Sequence, residues 1–287
     1  MIAVKVQAGF GNQLFQYAMG YAMARRYDCP LKLDISFFHY YKLKKHLGIK
    51  IPEMFSDCYL THLKIDKKLF IGNSMLHLYE LLAKKGKWKH LWVGGRRFPL
   101  VIEDFLRCRE YQSDVVSQIS PSGTYLEGFW QHPAYFSDAR SHLQEVVNPV
   151  CPLCGDAAIL LSEIENRESV GIHIRRGDFI KLGWDSGLNF YCRGISKMRE
   201  LLGKCGFYVF TDDKPWAREN LSSIDDLQIV DLSVLDEFFL LKNCKHQIVS
   251  ESTFGWWAAY LNPNPDKKII IPEKFKGCLA DNAWIRI

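Results

Sequence analysis

Residues 169–178 read SVGIHIRRGD: a six-residue stretch without a charge, then two arginines, a glycine and an acid. An apolar run with no polar alternation is the pattern of a strand covered on both faces. The flanks repeat the unit. Helical periodicity is expected over 156–167, 189–202, 215–221, 234–241 and 254–261, and strands over 207–210, 228–231, 246–249 and 268–271. Strands separated by helices of this length imply right-handed crossovers and a parallel sheet, hence a Rossmann-like domain. Ligands of such sheets sit beyond the carboxyl ends of the strands, so the loops after Ile174, Phe210, Asp231 and Val249 should converge on one site.

The N-terminal end begins with a similar unit. A strand over 3–8, the turn Gly9-Phe10-Gly11, a helix over 12–27 and a strand over 31–35 make one β-α-β element. Residues 36–120 are aromatic and basic and yield little more than a candidate helix near 75–83. A strand and turn at 125–130 (YLEGFW) and a helix over 135–147 follow, and 148–155 (NPVCPLCG), with two prolines, is the linker candidate. With 287 residues, a length at which one core commonly becomes two, the expected domains are 1–150 and 151–287.

Composition describes a folded, soluble chain: 48% apolar, 24% charged, net charge +5. Nine cysteines, odd in number and dispersed, favour a reducing compartment. Neither a leader nor a membrane span is legible, so a cytoplasmic setting is expected. The charge is uneven, because fifteen Lys and Arg against seven acids lie between 40 and 110. The segment 84–97 (KKGKWKHLWVGGRR) interleaves cations with Trp88 and Trp92. A solvated face accounts for this plainly. Of the functional accounts, an anionic membrane surface, peripheral to the inner face, is preferred to nucleic acid, since pI 8.6 is modest and no nucleic-acid-binding motif is present.

The strand ends carry the chemistry. Arg175 and Arg176 are permanently charged planar forks suited to a diphosphate, with Asp178 able to orient them; a surface ion-pair cluster is the plain alternative. Thr211-Asp212-Asp213 ends the next strand, and Ser250-Glu251-Ser252-Thr253 precedes an aromatic helix that starts at Phe254. Ser252 and Thr253 suit an anion at a helix start and equally suit N-caps. Neither G-x-G-x-x-G after a strand nor a P-loop occurs, and no Asp-x-Asp pair is available for a divalent metal.

Four segments, GFGNQLFQY (9–17), HIRRGD (173–178), FYVFTDD (207–213) and STFGWWAAYL (252–261), together resemble the bacterial α-1,2-fucosyltransferases of inverting glycosyltransferase family 11. The resemblance spans nearly the whole chain. It implies an α/β GT-B-like architecture, with two Rossmann-like domains facing across a cleft. The C-terminal domain would bind GDP-β-L-fucose and the N-terminal domain would lie on the acceptor side. It also implies metal independence, no cofactor, and a galactoside acceptor, either an oligosaccharide or a lipid-linked glycan of the O-antigen kind. On matching positions it puts Arg175 on the donor diphosphate with Arg176 and Asp178 in support. His173 would contact guanine or ribose, and Asp236 guanine; their plain alternatives are a satisfied strand histidine and a helix-start acid. Gly11, Asn12 and Gln13 match the turn that approaches the donor in more distant fucosyltransferases. Asp212, Ser252, Thr253 and Phe254 complete the expected substrate contacts. One departure is Gly255 before Trp256, where a serine is common.

Inverting transfer builds charge on the departing phosphate while an acceptor hydroxyl attacks from the opposite face. Arg175 is therefore expected to carry the largest catalytic effect. The general base stays open among Asp34, Glu127 and no strong base at all, with Asn12 orienting the hydroxyl. Asp34 could instead form a turn, and Glu127 could pair with an arginine. Competing functions are a fucosyltransferase of another linkage, a non-catalytic GDP- or anion-binding module, and a redox or zinc site at Cys151 and Cys154.

Overall fold

The computed structural model describes residues 1–52, 55, 57–72, 76, 77, 82, 89–93, 96–275 and 279–287. The chain divides into two compact units, Met1–Asn148 and Pro149–Ile287. The expected helix near 75–83 lies mostly outside the described residues, as does 84–88 of the basic segment, Trp88 included.

Unit 1 holds six strands: β1 (Ile2–Lys5), β2 (Leu31–Asp34), β3 (Phe70–Ile71), β4 (His90–Val93), β5 (Arg96–Ile102) and β6 (Thr124–Glu127), in the order β3-β2-β1-β6-β5-β4. All neighbours are parallel except β4 and β5. β1 stops short of the expected residue 8 because the Gln7 N–H turns to the Gln16 side chain and Ala8 takes a left-handed φ of 64°. That bend starts the helix Phe10–Arg26, which packs back on β1 and β2. The helix expected over 135–147 begins only at Arg140, after two short 3-10 turns, Pro133–Tyr135 and Ser137–Ala139. There His132 Nδ1 accepts the Ala134 N–H and sets a tighter turn. β3, β4, β5 and the helix Ser36–His46 lie in the stretch that periodicity did not resolve. Only the first turn of that helix is buried, and β5 is mostly exposed with Pro99 inside it, so neither repeats a clean pattern.

Unit 2 is a wholly parallel sheet of β7 (Ser169–Ile174), β8 (Gly206–Thr211), β9 (Leu227–Ile229), β10 (His246–Val249), β11 (Ile269–Ile271) and β12 (Ile285–Arg286), ordered β12-β11-β10-β7-β8-β9. Every residue of β7, β8 and β10 is buried. Val170, Ile172, Ile174, Val209 and Ile248 meet Tyr191, Ile195 and Met198 of the helix Gly187–Leu202 in one core. Each such side chain contributes roughly 1.5–3 kcal/mol of burial, which fixes the strand ends that carry the polar loops.

The two sheets order their first three strands alike and differ beyond them: unit 2 continues outward through β10, β11 and β12, whereas unit 1 crosses to its far edge at β4 and returns through β5 to β6. In unit 1 the first strand, β1, lies between β2 and β6; in unit 2 the first strand, β7, lies between β8 and β10. In unit 2 the connections from β7 to β8 and from β10 to β11 therefore run toward opposite sides, which puts a crevice at the carboxyl ends of β7 and β10. In unit 1 the carboxyl ends of β1 and β6 adjoin, although among the described residues no further strand of that sheet follows β6.

Candidate active site

At the β7/β10 crevice the two adjacent arginines meet different surroundings. Arg176 has a 14% exposed side chain, lies 4.1 Å over the Trp216 ring, and pairs with Asp185 at 2.6 Å and Asp213 at 3.1 Å. Its planar guanidinium is spent on an aromatic face and two carboxylates. Arg175 is twice as exposed, at 29%, and pairs with Asp178 at 2.8 Å and Asp212 at 3.0 Å. Asp212 also accepts from the backbone N–H groups of Arg176 and Gly177, at 2.9 and 3.2 Å, where the short helix Gly177–Leu182 begins. Arg175 is thus an accessible cation held by carboxylates that water reaches, whereas Arg176 braces the loop.

His173 occupies the same strand end, buried, with Nδ1 3.1 Å from Ser250 Oγ of the β10 loop and its ring stacked on Phe254 at 5.3 Å. Burial, reinforced by the Arg175 charge, pushes its pKa down to about 3, so the ring is neutral at physiological pH. A Cβ on Gly255 would meet His173 Nδ1 at 2.8 Å, which explains why this chain has glycine there. Ser252 caps the helix Thr253–Leu261 by accepting the Phe254 N–H, so its hydroxyl has the N-cap role, and Thr253 is the first helical residue. Asp236 stands in the first turn of the helix Val234–Asn243, where Ser233 Oγ donates to its carboxylate at 2.7 Å and accepts its backbone N–H at 3.2 Å. Its link to the His173 group runs through Phe238, which packs edge-on against Phe254. Lys214 bridges Glu237 at 2.8 Å and Asp231 at 3.5 Å, tying the loops after β8 and β9 together.

In unit 1 the two proposed bases are both buried. Asp34 is fully buried and accepts from Tyr125 Oη at 2.8 Å, from Ser36 N at 2.9 Å and from Ser36 Oγ. Glu127, also buried, pairs at 3.1 Å with a lysine, Lys5, rather than with an arginine. Both carboxylates are already engaged by protein donors. Gln13 is likewise internal: it donates to the carbonyls of Ala8 and Asp57 and accepts from Tyr59 N, so it fixes the turn instead of facing a donor. Gly11 is buried in the first turn of the same helix. Asn12, half-buried, is reached by Gln131 Nε2 at 2.8 Å.

The structure therefore gathers Arg175, Asp178 and Asp212 in one ion-pair group, to which Arg176 is joined by its backbone N–H on Asp212 while its side chain pairs with Asp185 and Asp213, and His173 and Phe254 lie at the same strand end. Asp185, Trp216, Ser250 and Gln131 are not among the residues expected at the site. Ser250 has a signal, its place at a strand end; Asp185 lies in a loop with no motif. Cys151 and Cys154 are exposed free thiols, and among the described residues no three His, Cys, Asp or Glu form a metal-binding group. No helix among the described residues is long and apolar enough to cross a membrane.

A family model described as glycosyl transferase family 11 matches residues 1–280. An alpha-1,2-colitosyltransferase from Escherichia coli is 27% identical over 274 residues, covering 91% of this chain and 87% of its own. The O-antigen biosynthesis glycosyltransferase WbnK of Escherichia coli is 27% identical over 98% of this chain and 99% of its own. Among solved structures, the NodZ alpha-1,6-fucosyltransferase soaked with GDP-fucose superposes with a TM-score of 0.52 at 14% identity, covering 91% and 92% of the two chains. That likeness places the fold in the GT-B class.

Proposed function

The chain belongs to glycosyl transferase family 11, and from that premise we propose that it transfers L-fucose from GDP-β-L-fucose to the 2-hydroxyl of a terminal β-galactoside, with inversion to an α-1,2 linkage. The observation that carries this reading is Arg175 at the end of β7. It is the exposed member of the arginine pair, held at the topological switch point by carboxylates that an incoming diphosphate can replace. As the C1–oxygen bond breaks, negative charge grows on the β-phosphate, and a preorganised guanidinium there lowers the barrier. Neutral His173, stacked on Phe254, and Asp236 are assigned to the guanosine end. Asn12 is assigned to the acceptor hydroxyl. With Asp34 and Glu127 enclosed, no strong base acts in this scheme and the leaving phosphate takes the proton. The arginines supply the positive charge, so no divalent metal is needed.

A second reading keeps the linkage and changes the sugar, because one of the relatives above is named for colitose. The test is incubation with GDP-fucose and a colitose donor against a panel of galactosides, followed by linkage analysis. An α-1,2-fucosyl product is expected; GDP binding without transfer would favour a binding module, and transfer of colitose alone would favour the second reading. The exposed lysines 42, 45, 50, 64, 67 and 68 are assigned to an anionic membrane surface presenting lipid-linked acceptor on its cytoplasmic side. Salt-insensitive or absent binding to anionic vesicles would refute that assignment.

A further inference from the structure

In unit 1 the chain following β1 and the chain leaving β6 are joined by a hydrogen bond between two side chains, from Gln131 Nε2 to Asn12 Oδ1 at 2.8 Å. Gln131 is 7% exposed, and the residue before it, Trp130, has a φ of 57°. A tryptophan holds that left-handed conformation only where its surroundings impose it.

The agent is Glu103. It follows β5, its own N–H donates to Glu127 O at 2.9 Å, and its carboxylate, 1% exposed, turns onto the chain leaving β6. The oxygens accept from Phe129 N at 2.5 Å and from Trp130 N at 3.0 Å. A Cβ at Gly128 would lie 2.5 Å from the Glu103 Cβ, so the turn closes on the acid at a distance that only glycine permits. From the other side Gln16 Nε2 donates to Gly128 O at 3.1 Å, and the Trp130 ring packs edge-on against Tyr135. With its oxygens on backbone N–H groups and almost no exposure, Glu103 cannot itself receive a proton from a substrate. What it governs is the turn, and through the turn Gln131.

Because Gln131 donates to Oδ1, the Asn12 amide is fixed with its NH2 as the available donor. We propose that Glu103 is a positioning residue: through the 128–130 turn and Gln131 it orients the Asn12 amide toward the substrate hydroxyl. The inference rests on the transfer reading above for the identity of that hydroxyl, but not for the coupling itself.

A double-mutant cycle tests it. Glu103→Gln places an amide NH2 against backbone N–H groups, and Gln131→Ala removes the last link. Each is expected to lower kcat about tenfold with the donor KM within about twofold, as a misplaced orienting group does. In an Asn12→Ala background, Glu103→Gln should cost less than about twofold. Effects that multiply independently, or an unchanged kcat in Gln131→Ala, would overturn the proposal. If Glu103→Gln does not fold, the Gln131→Ala and Asn12→Ala pair performs the same cycle. The side-chain amide resonances of Asn12, read by NMR without turnover, separate the two readings. If the wild type transfers no sugar, the transfer reading fails, while a shift of those resonances in Glu103→Gln still supports the coupling and unchanged resonances refute it.

Discussion

Each unit brings two strand ends together beside its first strand, β1 with β6 and β7 with β10, and the two places are furnished in opposite ways. At β7/β10 the charges are partly wet: the Arg175, Asp178 and Asp212 side chains are 29%, 48% and 26% exposed. At β1/β6 the charges are dry, since Lys5 and Glu127 are each 2% exposed and Asp34 is fully buried. An ion pair in water is worth little and exchanges readily, whereas a buried one is costly to open. The first kind can admit an anion, and the second can only hold backbone in place.

Substitutions at the two places should therefore separate stability from activity. The largest effect is expected for Glu127→Ala, which removes the ion-pair partner of buried Lys5 and should lower unfolding free energy by about 3–5 kcal/mol in denaturant titrations. Next comes Arg175→Ala, expected to leave stability near wild type, because its pairs are wet, and to cut kcat by roughly 10²–10³, or about 3–4 kcal/mol of barrier. Wild-type turnover in that variant, or unfolding of it, would erase the contrast between the two places.

A third effect is pH-dependent. Burial raises the Glu103 carboxyl from 4.5 to about 7, although the Trp130 and Phe129 N–H groups oppose the shift. The native state then binds this proton more tightly than the unfolded chain. The stabilisation is full below about pH 4.5 and is lost as pH rises through about 7, a difference of about 3 kcal/mol. Unfolding curves between these pH values should fall more steeply for wild type than for Glu103→Gln. Parallel curves would mean that the acid is equally ionised in both states. The smallest effect is expected for Gly255→Ala, whose new Cβ displaces the His173 ring; about 1–3 kcal/mol of stability and weaker GDP affinity should follow, measurable by calorimetry.

Most helices and strands of unit 2 are legible because each is a local pattern: β7 and β10 fall at the residues expected of them, whereas the six-residue helix Gly177–Leu182 and the two-residue β12 are too short to show a period, and β9 ends at Ile229 instead of 231. The helix Phe10–Arg26 is legible to within two residues at its start. Legibility ended where burial stopped alternating locally, in β4, β5 and the helix Ser36–His46, and Glu103 went unseen with them. Candidate site residues were legible as residue types at strand ends. Their partners were not, because those come from far along the chain: His173 from Ser250, Arg175 from Asp212, Lys5 from Glu127.

By itself the sequence determined the alternation of strands and helices, the place of the arginines beyond a buried strand, and the family, since these depend on side-chain type and near spacing. Tertiary contacts alone made Arg176, stacked on Trp216, the more buried of two neighbouring arginines and left Arg175, paired with Asp178 and Asp212, the more exposed, and they enclosed Asp34 and Glu127. Burial and pairing are properties of where distant segments meet, and solvent access, more than residue type, determines whether a charge binds a ligand or braces the fold.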